Sequence, residues 1–230
     1  MTPSRSAAPS AAAAPDESRQ WMVLLPLIFL LSFLMLAPAA TATASEAIVR
    51  SASQIEGPAH RGPRAYHAMC ARAPELCQHD RMAGRVPGQS APAALTASAW
   101  TQLVSANEMI NQSMRPEGDM ALHGQSDYWT VGGVAGDCED YAIAKKQALM
   151  RMGWAADQLL YAVVDGFDTP YHAVLIVRTD QGDYVLDNIN RDIRRWDKSG
   201  YRFVIRQSAD NPHSWVRVVP PPEPLRIAGL

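Results

Sequence analysis

The sequence has no surplus of positive charge. Its 21 Lys and Arg stand against 23 Asp and Glu, for a formal charge of −2, whereas a nucleic-acid partner normally leaves a basic excess. No nucleic-acid partner is expected. The chain also lacks an internal repeat, and it lacks the paired Cys or His spacing of a structural zinc site. A zinc centre built from Cys138, His172 and either His123 or His67 therefore has no spacing signal behind it. Cysteine is scarce at three residues, so one thiol is left over however the others pair. Charge is missing altogether from Trp21 to Leu36, and that absence is the first positive clue.

This apolar run follows Arg5 and Arg19 and precedes Ala37-Pro38-Ala39-Ala40-Thr41-Ala42-Thr43-Ala44. Basic, greasy, then small is the order of a secretory signal, with an A-x-A cleavage site at Ala42-Thr43-Ala44. Either the leader is removed, which Pro38 and the small residues favour, or the run is retained as an anchor in the inner membrane. With its alanines it nears the roughly 20 residues that span a bilayer. Removal of residues 1–44 takes away two arginines and two acids and leaves the charge at −2. A periplasmic location is expected.

Export changes how the cysteines are read, because disulfides persist in oxidising compartments. Cys70 and Cys77 lie close together in what reads as a Pro-containing loop and are expected to pair. Cys138 is then the odd thiol: either a reactive group or an inert buried cysteine.

The hydrophobic content of 47% is ordinary for a globular protein. Four segments are expected: a signal peptide at 1–44, an extended lead-in at 45–65, one folded domain at 66–219, and a Pro-rich tail at 220–230. Ser98 to Met114 spaces Trp100, Leu103, Val104, Asn107 and Ile110 by three and four, which predicts an amphipathic helix. A loop rich in Gly, Asp and aromatics follows to Gly136. A second helix should start at Asp137, a good N-cap, and stop at Gly153, burying Ala142, Leu149 and Met152. Extended segments then follow: Leu159–Val164, Ala173–Val177, Tyr184–Leu186, Tyr201–Ile205 and Trp215–Val219. Thr179-Asp180-Gln181-Gly182 is a turn signal that joins two of them. Helices followed by antiparallel strands argue for an α+β domain with N-terminal helices packed on one face of an antiparallel sheet.

At the first position of the second helix, Cys138 meets unpaired N–H groups and the positive end of the helix dipole, which favour a thiolate. Asp137, Glu139 and Asp140 oppose that effect. A strong proton acceptor, or a cation that neutralises the acids, is needed. His172 opens the apolar stretch Ala173-Val174-Leu175-Ile176-Val177, where a polar ring has no packing role. If the hairpin turns on Asp180 and Gln181, Thr179 faces Gly182, Val174 faces Asp187, and His172 and Asp187 become diagonal neighbours on one face. A three-residue turn would send Asp187 to the other face. In the first register the order nucleophile, base, orienting acid fits Cys138, His172 and Asp187, with the Cys138 N–H as an expected oxyanion donor. Structural alternatives remain for each: a satisfied histidine at 172, a turn residue at 187, and an N-cap with solvated first-turn acids at 137, 139 and 140.

Gly136-Asp137-Cys138-Glu139-Asp140-Tyr141-Ala142-Ile143-Ala144-Lys145, with His172-Ala173-Val174-Leu175 and Leu186-Asp187-Asn188, resembles the bacterial transglutaminase-like cysteine proteinase family. Asn107 to Asn111, Asp119 and Asp127-Tyr128-Trp129 extend the resemblance, which covers about residues 66–206. It implies a papain-like, transglutaminase-like core with Cys138, His172 and Asp187 as the triad. Well-known members are periplasmic proteases that cut large biofilm adhesins from the outer membrane under an inner-membrane receptor. The resemblance thus implies a surface or periplasm-exposed protein substrate and such a receptor as partners. It also implies calcium at Asp137, Glu139 and Asp140, a set of hard oxygens that suits Ca²⁺. After Trp129 the chain reads Thr130-Val131-Gly132-Gly133-Val134-Ala135, whereas members often carry a Pro and a Glu there. Trp129 itself either lines the cleft or belongs to the core. A transamidase with the same triad, and a non-catalytic calcium or partner-binding module, are the competing functions.

Overall fold

A computed structural model describes residues 53–74, 77, 91–130, 133–166, 169–211 and 213–220. The leader, the start of the lead-in and all of the tail beyond Pro220 lie outside the described residues. In chain order the elements are β1 (Ile55–His60), α1 (Arg64–Arg72), α2 (Ala97–Ser113), β2 (Arg115–Pro116), α3 (Asp119–His123), β3 (Ala135–Gly136), α4 (Cys138–Arg151), β4 (Leu159–Gly166), β5 (Thr169–Thr179), β6 (Gly182–Leu186), β7 (Arg194–Arg195), β8 (Arg202–Gln207) and β9 (Trp215–Val219). Seven of the strands form one antiparallel sheet in the order β1-β9-β8-β4-β5-β6-β7, while β2 and β3 make a separate parallel pair. The architecture is α+β, as the order of patterns implied.

Both faces of the central strands are covered, which explains their unbroken apolar runs. Leu159, Tyr161, Val163, Leu175 and Val177 face the helices and meet Leu103, Ile143 and Leu149. Leu160, Ala162, Val164, Val174 and Ile176 face the other way, against Trp196, Phe203 and Val218. The β5–β6 hairpin pairs Thr179 with Gly182 and Leu175 with Leu186, the register of a two-residue turn on Asp180 and Gln181.

Several expectations are corrected. The sheet begins before the helices: Ile55–His60, read as lead-in, pairs with Trp215–Val219. This edge strand is largely exposed and shows no apolar alternation to betray it. Cys70 sits on α1 rather than in a loop, and a disulfide joins it to Cys77. The stretch 115–136 contains α3 as well as β2 and β3. Helix α4 runs Cys138–Arg151, with Asp137 in the N-cap position but making no side-chain cap. Ala142 and Leu149 are buried, whereas Met152 is 38% exposed. Met152 lies past the last helical turn, where Gly153 at φ +98° redirects the chain.

Candidate active site

The N-terminus of α4 meets the start of β5, and this junction sets the geometry of Cys138. Its Sγ accepts the N–H of Ala173, the residue after His172, at 3.3 Å. Its thiol hydrogen donates to Glu139 Oε2 at 3.2 Å. Burial, with the charge of Glu139 next, pushes the thiol well above the ordinary range, and the Ala173 N–H offsets only part of this.

His172 is 1% exposed, and its Nε2 lies 2.7 Å from Asp187 Oδ1. An ionised carboxylate only accepts, so Nε2 carries the hydrogen and Nδ1 holds the lone pair. Nδ1 is buried with no hydrogen-bond partner, which leaves it as the ring nitrogen free to exchange a proton. Burial works against the Asp187 charge, but hydrogen bonds outweigh it and hold the carboxyl down to about 2. Oδ1 also accepts the Ile189 N–H, and Oδ2 accepts the Asn190 N–H at 3.0 Å and the Tyr201 hydroxyl at 2.5 Å. The Tyr201 ring lies 5.7 Å from the imidazole, centroid to centroid. From α2, Asn111 donates to the Asp187 carbonyl and Asn107 to that of Arg191, so the helix clamps the loop that presents the acid. Sequence reading gave Tyr201 no role, since 14 residues and a strand change separate it from Asp187.

The acids form a second layer. Among the described residues, Asp119, Asp137 and Asp140 offer oxygens within 4.8 Å of one another, and so do Asp119, Asp127 and Glu139. Asp137 and Glu139 also form such a group with Cys138. No one of these groups unites all three expected ligands Asp137, Glu139 and Asp140; Asp119, Asp137 and Glu139 each belong to two of the three. Asp119 Oδ1, Asp137 Oδ1 and Asp140 Oδ2 are each buried without a hydrogen-bond partner. Their other oxygens are engaged: Asp119 accepts from the Tyr128 N–H, Asp137 from the Asp119 N–H, and Asp140 from the N–H and hydroxyl of Thr130. Burial raises the carboxyls of Asp119 and Asp140, the latter to about 6, and Glu139 is pushed up to about 9 by burial and then by Asp137. Three carboxylates that converge in this way, each with one buried oxygen left without a hydrogen-bond donor, suit a hard cation such as Ca²⁺. Asp119 and Asp127 had been noticed in the sequence, but nothing there assigned them to the acids beside Cys138. His67 and His123 join no such group, and His123 instead stacks on Tyr128.

Cys138 opens onto a cleft of about 540 Å³ whose lining includes the acids Asp127, Asp137 and Glu139 and the apolar residues Trp129, Val163, Ala173 and Ile205. Trp129 serves both readings: it lines the cleft and is buried against Tyr66 and Tyr161.

A cysteine at a helix start, set against the strand of a histidine that pairs with an aspartate just past the neighbouring strand, is an arrangement suited to thiol-dependent acyl transfer. The family model for the bacterial transglutaminase-like cysteine proteinase BTLCP matches residues 56–221, and the chain belongs to that family. It is a cysteine proteinase. Among solved structures, Legionella pneumophila LapG is 27% identical over 51% of this chain and 68% of its own, with a TM-score of 0.42. Calcium-bound Legionella pneumophila LapG is 20% identical over 76% of this chain and 86% of its own, with a TM-score of 0.44. No protein of curated function matches.

Proposed function

We propose that the chain is an exported, calcium-dependent endopeptidase in which Cys138 is the nucleophile, His172 its base and Asp187 the acid that orients the base. The observation that carries this reading is the buried imidazole: Nε2 is committed to Asp187, and Nδ1 is unpartnered beside the strand position that contacts Sγ. Nδ1 takes the thiol proton as sulfur attacks a peptide carbonyl, and the imidazolium returns it to the leaving amine. The acyl group stays on Cys138 until water, deprotonated by the same nitrogen, releases the carboxylic acid and frees the thiol. The N–H of Cys138 supports the oxyanion.

The acids that oppose the thiolate become useful once a cation is present. Asp119, Asp137 and Asp140 would hold Ca²⁺, with Glu139 and Asp127 close by, and the ion supplies positive charge that offsets the carboxylates around the sulfur. Residues 1–44 act as the secretory signal, on the sequence pattern alone, and the peptidase domain reaches back from the expected 66–219 to include β1 at Ile55–His60. No helix among the described residues is long and apolar enough to cross a membrane. A surface or periplasm-exposed protein such as a large adhesin is the substrate, and an inner-membrane receptor the regulator, on the strength of the family resemblance. Loss of the protein from its cell should then leave that surface protein uncut.

Intact-mass labelling with iodoacetamide at neutral pH tests the site. Fast single labelling at Cys138 that falls in His172→Ala, and falls again with chelator or in Asp137→Ala, is expected. Slow labelling indifferent to all three changes would make Cys138 an ordinary thiol and end the peptidase reading.

A further inference from the structure

Among the described residues, Tyr171 is the one non-glycine with a positive φ, at +56°. A bulky side chain rarely adopts this left-handed conformation, because its Cβ crowds the neighbouring carbonyl. The conformation is enforced locally. The Tyr171 N–H donates to Asp165 Oδ1 at 3.0 Å, and the other oxygen of Asp165 pairs with Arg202 across the adjoining strand. Strain of this kind is ordinarily offset by burying the side chain, yet Tyr171 is 77% exposed. Tyr171, next in sequence to His172, is among the residues that line the cleft holding Cys138, as are Val163, Ala173 and Ile205. An exposed aromatic held in a strained backbone at this place contributes nothing to the core. What it offers is a rigid apolar face, with two side-chain torsions to fix, beside the scissile bond.

We infer that Tyr171 is a specificity-determining residue of the peptidase: its ring is the wall on which an apolar side chain of the substrate packs, within one or two residues of the bond that is cut. The inference rests on the peptidase reading given above. The competing role for this residue, a hydroxyl that hydrogen-bonds the substrate backbone, would leave side-chain preference unchanged and would need the phenol oxygen.

The test uses the full exported protein with calcium and a mixture of peptides derived from a whole proteome, with cut sites read by mass spectrometry on both sides of the bond. The wild type should enrich Leu, Ile, Val, Met or Phe several-fold at one flanking position. Tyr171→Phe should keep that enrichment, and Tyr171→Ala should lower it at least five-fold. Iodoacetamide labelling of Cys138 in the same samples reads the nucleophile without engaging the wall. An enrichment that survives in Tyr171→Ala, that is lost in Tyr171→Phe, or that is missing from the wild type overturns the inference while leaving the peptidase intact. No cutting by a protein whose Cys138 still labels in a His172-dependent way would sink the peptidase reading itself, and the inference with it.

Discussion

Raising the pH from 5 to 7 without calcium should loosen the fold, and the acidic layer beside Cys138 sets the size of the effect. Glu139 is held near 9, against an ordinary 4.5, first by burial and then by the neighbouring Asp137 carboxylate. A carboxyl raised in this way keeps its proton in the folded chain after the unfolded chain has released it. Stability is therefore whole below the unfolded value and is lost steadily as the pH climbs toward the folded one. Over the two units from pH 5 to 7, at roughly 1.4 kcal/mol per unit, the loss from Glu139 is about 3 kcal/mol. Asp140 and Asp119 are raised as well, chiefly by burial, and act in the same direction. Asp187 has the opposite sign. Held near 2, it contributes stability that is complete above pH 4 and is lost only as the pH falls through 2, so it is silent in this window. Lys145, lowered to about 7 by burial, starts to release its proton only at the upper end. For a domain of this size about 3 kcal/mol corresponds to a fall in Tm of roughly 6–12 °C. Thermal unfolding followed by calorimetry at several pH values, in chelator and in calcium, gives the measurement. Calcium should remove most of the slope, because the ion replaces the proton as the partner of the buried oxygens, and Glu139→Gln should flatten it without calcium. A Tm in chelator that stays constant within about 2 °C from pH 5 to 7, or a slope unchanged in Glu139→Gln, would refute the reasoning.

Three further outcomes follow from the same geometry. Asp187→Asn presents an amide donor or an uncharged oxygen to Nε2, so the imidazole loses the tautomer that leaves Nδ1 free. Labelling of Cys138, and peptide cleavage, should fall by roughly 10³–10⁴-fold. Tyr201→Phe removes a hydroxyl from an ionised acceptor while keeping the ring beside His172, and should cost about 1.5–3 kcal/mol in urea unfolding together with a several-fold loss of cleavage rate. Gly136→Ala would place a Cβ 2.4 Å from Asp140 Oδ2, so the carboxylate must move. Calcium affinity measured by calorimetry should weaken by about 10- to 100-fold, with the Cys70–Cys77 end of the domain unaffected.

How far the sequence could be read depended on whether each relation was local. The pairing of His172 with Asp187 was legible because Thr179-Asp180-Gln181-Gly182 marks a turn, and once that turn has two residues a period of two carries the register along β5 and β6 to His172 and Asp187. The start of α4 was legible for the same reason, from Asp137 before an apolar helical pattern and Gly153 after it. Edge strand β1 was not, since Ile55-Glu56-Gly57-Pro58-Ala59-His60 pairs along one side only and has no buried face to impose alternation. The acids show the limit most sharply. The family resemblance pointed to Asp137, Glu139 and Asp140 as calcium ligands, but it gave no role to Asp119 or Asp127, and successive residues on an α-helix point about 100° apart. Glu139 lies with Asp127 and with the sulfur, and Asp140 lies on the other side of the layer, while Asp119 and Asp137 each converge with both of them. Neither of these two bridging residues stands inside the helix. Asp119 is anchored by the Tyr128 N–H at the start of a short helix 18 positions before the cap. Asp137 can contribute because its side chain is released from capping α4, so the departure from the expected N-cap and the assembly of the acidic layer have one cause.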